Sequence, residues 1–226
     1  MNGYLLIDKP PEISSFGVVT KTRRILSEAA GQKIKVGHTG TLDPAATGLM
    51  ILVVGSYCKR AAEFSKLDKT YEVEVTLGVT SSTGDSEGEI TKISDKQPSL
   101  EEVRRVLDKF VGDISQTPPI YSAIKVGGQR AYKLAREGKE VKLEPRQVTI
   151  YNIEDIKYNY PKLAFTTTVS SGTYIRSLAE DIGADLGTGA YMSALKRTRV
   201  GKFDIKDALK LDEGMSSLES NLQKMN

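Results

Sequence analysis

Leu49-Met50-Ile51-Leu52-Val53-Val54 is the longest apolar stretch in the chain and limits the fold more than any other segment. It is far too short to cross a bilayer, which takes about 20 apolar residues. With no polar side chain to face water, a strand of this sequence must be covered on both sides, as central strands are. The segment before it, Lys35 to Gly48, contains Gly37, Gly40 and Gly48 and reads as a loop feeding that strand.

Around this strand the chain alternates strand and helix patterns, without repeats or low-complexity segments. Gly3 to Asp8 reads as a strand. Ser14-Ser15 can cap a helix to about Ala30, with Val18, Val19, Ile25 and Leu26 buried. Tyr57 to Leu67 reads as a helix. Tyr71, Val73, Val75 and Leu77 alternate with Glu72, Glu74 and Thr76, marking a half-buried strand. After a polar loop (Thr80 to Glu89), Ser99-Leu100-Glu101-Glu102 forms a capping box ahead of the apolar stripe Val103, Val106, Leu107 and Phe110. Val148 to Lys157 and Leu163 to Val169 read as strands and Tyr174 to Leu186 as a helix. A short strand and a final helix close the chain. This order suits a mixed domain of strands and helices.

Composition removes several function classes. A single cysteine, Cys58, excludes an intramolecular disulfide and fits a reducing cytoplasm. No signal peptide or membrane span is evident, so a cytoplasmic location is expected. One His and one Cys cannot supply the usual zinc ligands, and no clustered Asp/Glu motif calls for magnesium, so no metal is expected. Gly40 to Gly48 lacks the Gly-Lys-Ser/Thr ending of a phosphate-binding loop, no G-x-G-x-x-G follows the first strand, and no G-x-S-x-G elbow appears. Charge is uneven. Tyr121 to Arg146 and Ala190 to Lys210 each carry a surplus of positive charge larger than the +3 of the whole chain. Such segregation suits a surface that meets a polyanion, although two solvated faces would also produce it.

What remains is a carboxylate in an unusual setting. Asp43 stands between Leu42 and Pro44 among glycines that let a ligand approach closely, and Pro44 restricts it to extended or turn conformations. Taken alone, an Asp-Pro pair is most often a turn. The wider segment Val36-Gly37-His38-Thr39-Gly40-Thr41-Leu42-Asp43-Pro44-Ala45-Ala46-Thr47-Gly48 resembles the catalytic motif of the TruB family of pseudouridine synthases. Four further segments resemble family motifs in the family's order: Leu5 to Pro10 with Ser14-Ser15, Asp68 to Tyr71, Gly172 to Arg176, and Leu195 to Gly201. The resemblance covers roughly residues 3 to 210.

The resemblance implies an α+β pseudouridine synthase fold, with a mixed, mostly antiparallel central sheet flanked by helices. It implies isomerisation of uridine to pseudouridine at position 55 in the T-arm of tRNA, without a cofactor. Asp43 would be the catalytic carboxylate, either bonding the anomeric carbon or removing a ribose proton. Arg176 would pair with it and keep it ionised. Tyr71 would stack on the target base, and His38 would fill the space that base leaves. Tyr174 and Leu195 would line the pocket. Each of these also has an ordinary structural reading, as core aromatic, loop histidine or buried leucine.

The basic segment at about 117–147 matches a thumb-like insertion that closes over the T-arm. The resemblance places Lys125, Arg130, Lys133 and Arg146 against RNA, together with Lys9 and Arg197. Bacterial members usually continue into a small PUA-type RNA-binding domain. About sixteen residues follow Lys210 here, so a single catalytic domain without it, acting as a monomer, is expected. Lys196 replaces an arginine common at its site. The rival readings are a non-catalytic tRNA-binding or folding factor of the same fold, a guide-RNA-dependent synthase subunit, and a glycoside hydrolase. The last would need a second catalytic acid that no motif supplies.

Overall fold

The first strand, β1 (Gly3–Lys9), is buried along nearly its whole length. In the computed structural model, which describes residues 1–211, 218 and 220–224, Ser14 then caps α1 (Ser15–Ala30) by accepting from the Gly17 N–H. Helix α1 buries Ser15, Val18, Val19, Thr22 and Leu26; Ile25, expected among them, stands at the margin of the stripe and is half-buried. The expected loop from Lys35 contains a strand, β2 (Val36–His38), antiparallel to β3 (Thr47–Val54), with His38 opposite Leu52. Three residues around a glycine show no alternation, so only the partner strand reveals it. The helix expected from Tyr57 starts as a 3-10 turn, Gly55–Arg60, and becomes α2 over Ala61–Ser65.

Strand β4 (Lys69–Leu77) alternates as expected, with Lys69, Tyr71, Val73, Val75 and Leu77 buried. The polar loop closes as a small hairpin, β5 (Val79–Ser81) with β6 (Ile90–Lys92). The capping box of α3 (Leu100–Phe110) is complete: Ser99 Oγ accepts from Glu102 N–H at 3.2 Å, and the Glu102 carboxylate accepts from Ser99 N–H at 2.7 Å. Next come β7 (Gly112–Gln116), β8 (Lys125–Val126), β9 (Gln129–Arg130), α4 (Ala131–Arg136), β10 (Arg146–Asn159), β11 (Lys162–Val169) and α5 (Ile175–Leu186). The expected short strand is the eleven-residue β12 (Ala190–Val200), its length disguised by Lys196, Arg197 and Arg199. The two-residue strands β13 (Phe203–Asp204) and β14 (Leu209–Lys210) follow. The final helix expected at the C-terminus lies outside the described residues.

The chain forms two compact units, 1–72 with 195–226, and 73–194; the boundaries fall inside β4 and β12 rather than in linkers. In the first unit the strand order is β14-β1-β3-β12-β4, and in the second β4-β11-β10-β7. Pairs β1/β14 and β3/β12 are parallel, whereas β1/β3, β2/β3, β7/β10, β10/β11 and β12/β13 are antiparallel. This is the mixed, mostly antiparallel α+β architecture that the family resemblance implied.

Strand β3 is flanked by β1 and β12 in the order, so its apolar run is central. Its Leu49, Ile51 and Val53 join Tyr4, Leu6, Phe64, Val200 and Phe203 in the core of the first unit. There the Tyr4, Phe64 and Phe203 rings meet with centroids 5.3 to 5.8 Å apart, within the range in which tilted aromatic pairs add to their burial. In the second unit α3 packs on α5 and on β10, burying Val103, Val106 and Leu107.

Candidate active site

The Asp43 loop is held from three directions within the first unit. On its entry side, Thr39 donates through both its backbone N–H and its hydroxyl to the Ile51 carbonyl, at 3.2 and 3.3 Å. At its centre, the Ser15 hydroxyl donates to Leu42 O and accepts from Leu42 N–H, both at 2.8 Å. One residue beyond Asp43, the Pro44 carbonyl accepts from Lys9 Nζ at 2.9 Å and from Glu12 N–H at 3.0 Å. Asp43 is half-buried and sits between two immobilised neighbours. Its own carbonyl accepts from Ala46 N–H at 3.1 Å, closing a turn.

Lys9 is fully buried, and its ammonium donates to the carbonyls of Pro10, Ile13 and Pro44 at 2.8 to 2.9 Å. Removing that cation strands three carbonyls, at a cost of about 1–3 kcal/mol for each buried unsatisfied group. Arg197 is 2% exposed; its Nε donates to Leu49 O at 2.7 Å and its Nη2 to Gly40 O at 3.1 Å. Lys9 and Arg197, expected at the RNA surface, thus spend their donors on loop carbonyls. Sequence marks them as cations but does not say that they are interior ones. At Gly48, φ is 103° and a Cβ would collide with the Arg197 backbone, so the parallel pairing of Arg197 with Gly48 requires glycine.

Three more expected residues belong to this unit. Tyr71 is 8% exposed and lies on the same face of β4 as Lys69. Leu195 on β12 is half-buried, as is His38 at the end of β2. Lys69 donates to Ser65 O and Leu67 O at 2.6 and 2.5 Å. Burial, followed by the nearby Arg197 charge, pulls its pKa down to about 8, against the opposing pull of Asp68.

Tyr174 and Arg176 belong to the second unit, at the start of α5. Gln116 fastens Tyr174 reciprocally: its amide N–H donates to Tyr174 O at 3.0 Å and its oxygen accepts from Tyr174 N–H at 2.8 Å. Arg176 is buried. Within its unit it donates to Thr83 O at 3.2 Å and Tyr121 O at 2.9 Å, and its Nη1 lies 3.4 Å from Asp85 Oδ2. Asp43, its expected partner, belongs to the first unit.

Sequence reasoning missed Asp85. It lay in a polar loop with nothing to mark it, yet it is buried and accepts from Thr83 Oγ1 and from Glu87 N–H. Breaking a buried ion pair of this kind costs about 3–5 kcal/mol, because the remaining charge is left uncompensated. Beside it, a cavity of about 340 Å³ is lined by Thr83, Pro118, Tyr121, Ser177, Glu180 and Asp181. Burial, then the neighbouring Asp181, pushes the Glu180 carboxyl up.

The expected thumb is a polar segment of short elements. Strands β8 and β9 are joined by Gly127 and Gly128, both at positive φ (57° and 86°), as a two-residue hairpin turn requires. Lys125, Arg130, Lys133 and Arg146 are all exposed. Among the described residues, no group of three or more His, Cys, Asp or Glu could hold a metal ion, and no helix is long and apolar enough to cross a membrane.

A pinned aspartate loop in an α+β sheet of this order defines a class that comparison makes specific. The family model described as "TruB family pseudouridylate synthase (N terminal domain)" matches residues 23–175, and that for the "tRNA pseudouridylate synthase B C-terminal domain" matches residues 176–222. A tRNA pseudouridine synthase B of Dechloromonas aromatica is 45% identical over 213 residues, covering 94% of this chain and 70% of that protein. One from Opitutus terrae is 42% identical, covering 94% of this chain and 86% of that protein. In a solved Cbf5-Nop10-Gar1 complex, one chain superposes with a TM-score of 0.73 at 28% identity, over 95% of this chain. This chain spans about half of that one (54%). The chain belongs to the TruB family of tRNA pseudouridine synthases, and so to the isomerases.

Proposed function

We propose that this enzyme converts the uridine at position 55 in the T-arm of tRNA to pseudouridine, with Asp43 as the reacting carboxylate. The observation that carries the reading is the clamp on Asp43. Leu42 is held by Ser15 and Pro44 by Lys9, so the carboxylate between them has a fixed backbone. A group that must meet one ribose carbon or proton gains most from such fixing, because misplacement of about 1 Å can cost a hundredfold. The two relatives named tRNA pseudouridine synthase B bring tRNA as the substrate class, and the exposed cations of the 117–147 segment suit a phosphate backbone.

In this reading the C1′–N1 bond of the uridine breaks, the uracil turns, and a C1′–C5 bond forms. The C5 proton then leaves and N1, freed from C1′, takes up a proton (in the glycal route the abstracted ribose proton also returns), so atoms balance without an oxidant or co-reactant. Asp43 either bonds C1′ or removes the ribose proton that gives a glycal. Taking the nucleotide out of its stack costs a few kcal/mol, and stacking the base on Tyr71 returns about 1–3 kcal/mol. His38 occupies the vacated position.

The test is tritium release from tRNA carrying 5-tritiated uridine. The wild type should release tritium and Asp43→Asn should not, a loss on the order of 10⁴-fold or more. Release that persists in Asp43→Asn sinks the assignment of Asp43. A wild type that binds tRNA without releasing tritium would instead be a binding or folding factor.

A further inference from the structure

We infer that Phe16 is a stacking platform for an unpaired nucleobase next to the target uridine, with Arg23 and Arg24 meeting the phosphates beside it. This rests on the RNA-directed reading above and adds a contact that the family motifs do not carry.

Phe16 is 65% exposed, more than any other large apolar residue among the described residues. An aromatic ring left in water forgoes about 1.5–3 kcal/mol of burial. Phe16 lies outside the stripe that α1 buries, Ser15, Val18, Val19, Thr22 and Leu26. Its place in the chain is specific. Phe16 directly follows Ser15, whose hydroxyl bonds both backbone groups of Leu42, the residue before Asp43. The ring therefore stands on a capped helix turn joined to the reacting loop.

The same face continues with cations. Residues 16, 20, 23 and 24 share one side of a helix, and here they are Phe16, Thr20, Arg23 and Arg24. Among the described residues, Arg23 makes only a long contact of 3.5 Å to Thr20 Oγ1. Arg24 meets Glu28 at 4.0 Å with both side chains about 70% exposed, an arrangement that holds neither charge firmly. Phe16 and Arg23 are separated by about 10 Å along the axis. An aromatic ring followed by guanidinium groups is the pattern of surfaces that stack bases and track a backbone. Withdrawal of the target uridine leaves its neighbours unstacked, and a ring on the helix turn that Ser15 joins to the reacting loop can receive one of them.

The chain contains no tryptophan, so Phe16→Trp introduces a single fluorescent reporter at the proposed contact. Titration with a T-arm stem-loop should quench the indole, with tritium release close to wild type. Phe16→Ala and Phe16→Leu should raise KM roughly five- to hundredfold, the equivalent of about 1–3 kcal/mol of stacking, with kcat within about twofold. Phe16→Tyr should behave as wild type. Melting temperatures should hardly move, because the side chain is exposed. Unquenched fluorescence at saturating RNA, or an unchanged KM in Phe16→Ala, overturns the inference while wild-type turnover still upholds the function. Failure of the wild type on tRNA overturns both.

Discussion

The Asp43 loop and the 117–147 segment both depend on lysine and arginine, and they use them in opposite ways. In the loop, Lys9 and Arg197 are buried and turn their charges inward onto carbonyls. In the 117–147 segment, Lys125, Arg130, Lys133 and Arg146 stand in solvent on a hairpin, a short helix and the start of a long strand. Cations of the first kind set the shape of a backbone. Cations of the second kind are available to a polyanion. Net charge counts the two alike, so charge density locates nucleic-acid contacts only after burial has removed the interior members.

The contrast predicts separable phenotypes. The largest effect belongs to the interior. Lys9→Met should destabilise the protein by about 3 kcal/mol or more, measured by denaturant unfolding, and should cut tritium release while leaving the salt dependence of tRNA binding unchanged. A variant with altered salt slope and wild-type stability would reverse the assignment of Lys9. The intermediate effect belongs to the surface. Replacing Lys125, Arg130, Lys133 and Arg146 together by alanine should change stability by no more than about 0.5 kcal/mol. It should flatten the log-log salt slope of tRNA binding by roughly 0.7–0.9 per lost phosphate contact, measured by filter binding. An unchanged slope would remove this segment from the RNA interface.

The smallest effect concerns Lys69, an interior cation with a pKa of about 8. An unfolded lysine titrates near ~10.4, so between these values the unfolded chain binds more protons and stability rises with pH. Below about 8 both states are protonated, and the cost of burying the ammonium is carried in full. From pH 8 to 10 the wild type should therefore gain stability relative to Lys69→Met. A difference that stays flat across this range would show that Lys69 titrates normally.

Local signals in the sequence held wherever a partner lies within a few residues. Ser14 caps α1 and the Ser99–Glu102 box caps α3 because each bond spans three residues. The apolar run of β3 declares its burial by composition alone. Distant pairings stayed hidden. Lys9 reaches Pro44 across 35 residues, and Arg197 reaches Leu49 across 148. Strand β2 exists because β3 lies beside it, and Asp85 gains its meaning from Arg176 in a later helix. The family resemblance supplied candidate residues such as Asp43, Tyr71 and Arg176. It did not say that the cations flanking the motif serve as scaffold.

The bond between Arg197 and the loop also has a history in time. Gly40 and Leu49 leave the ribosome about 150 residues before the side chain that holds them. At 5–20 residues per second, the nascent loop waits roughly 8–30 seconds for Arg197. Throughout that interval Gly48 has no β12 backbone beside it. A transcript cut short before codon 197 would yield an enzyme whose aspartate is present but whose loop lacks its last fastening.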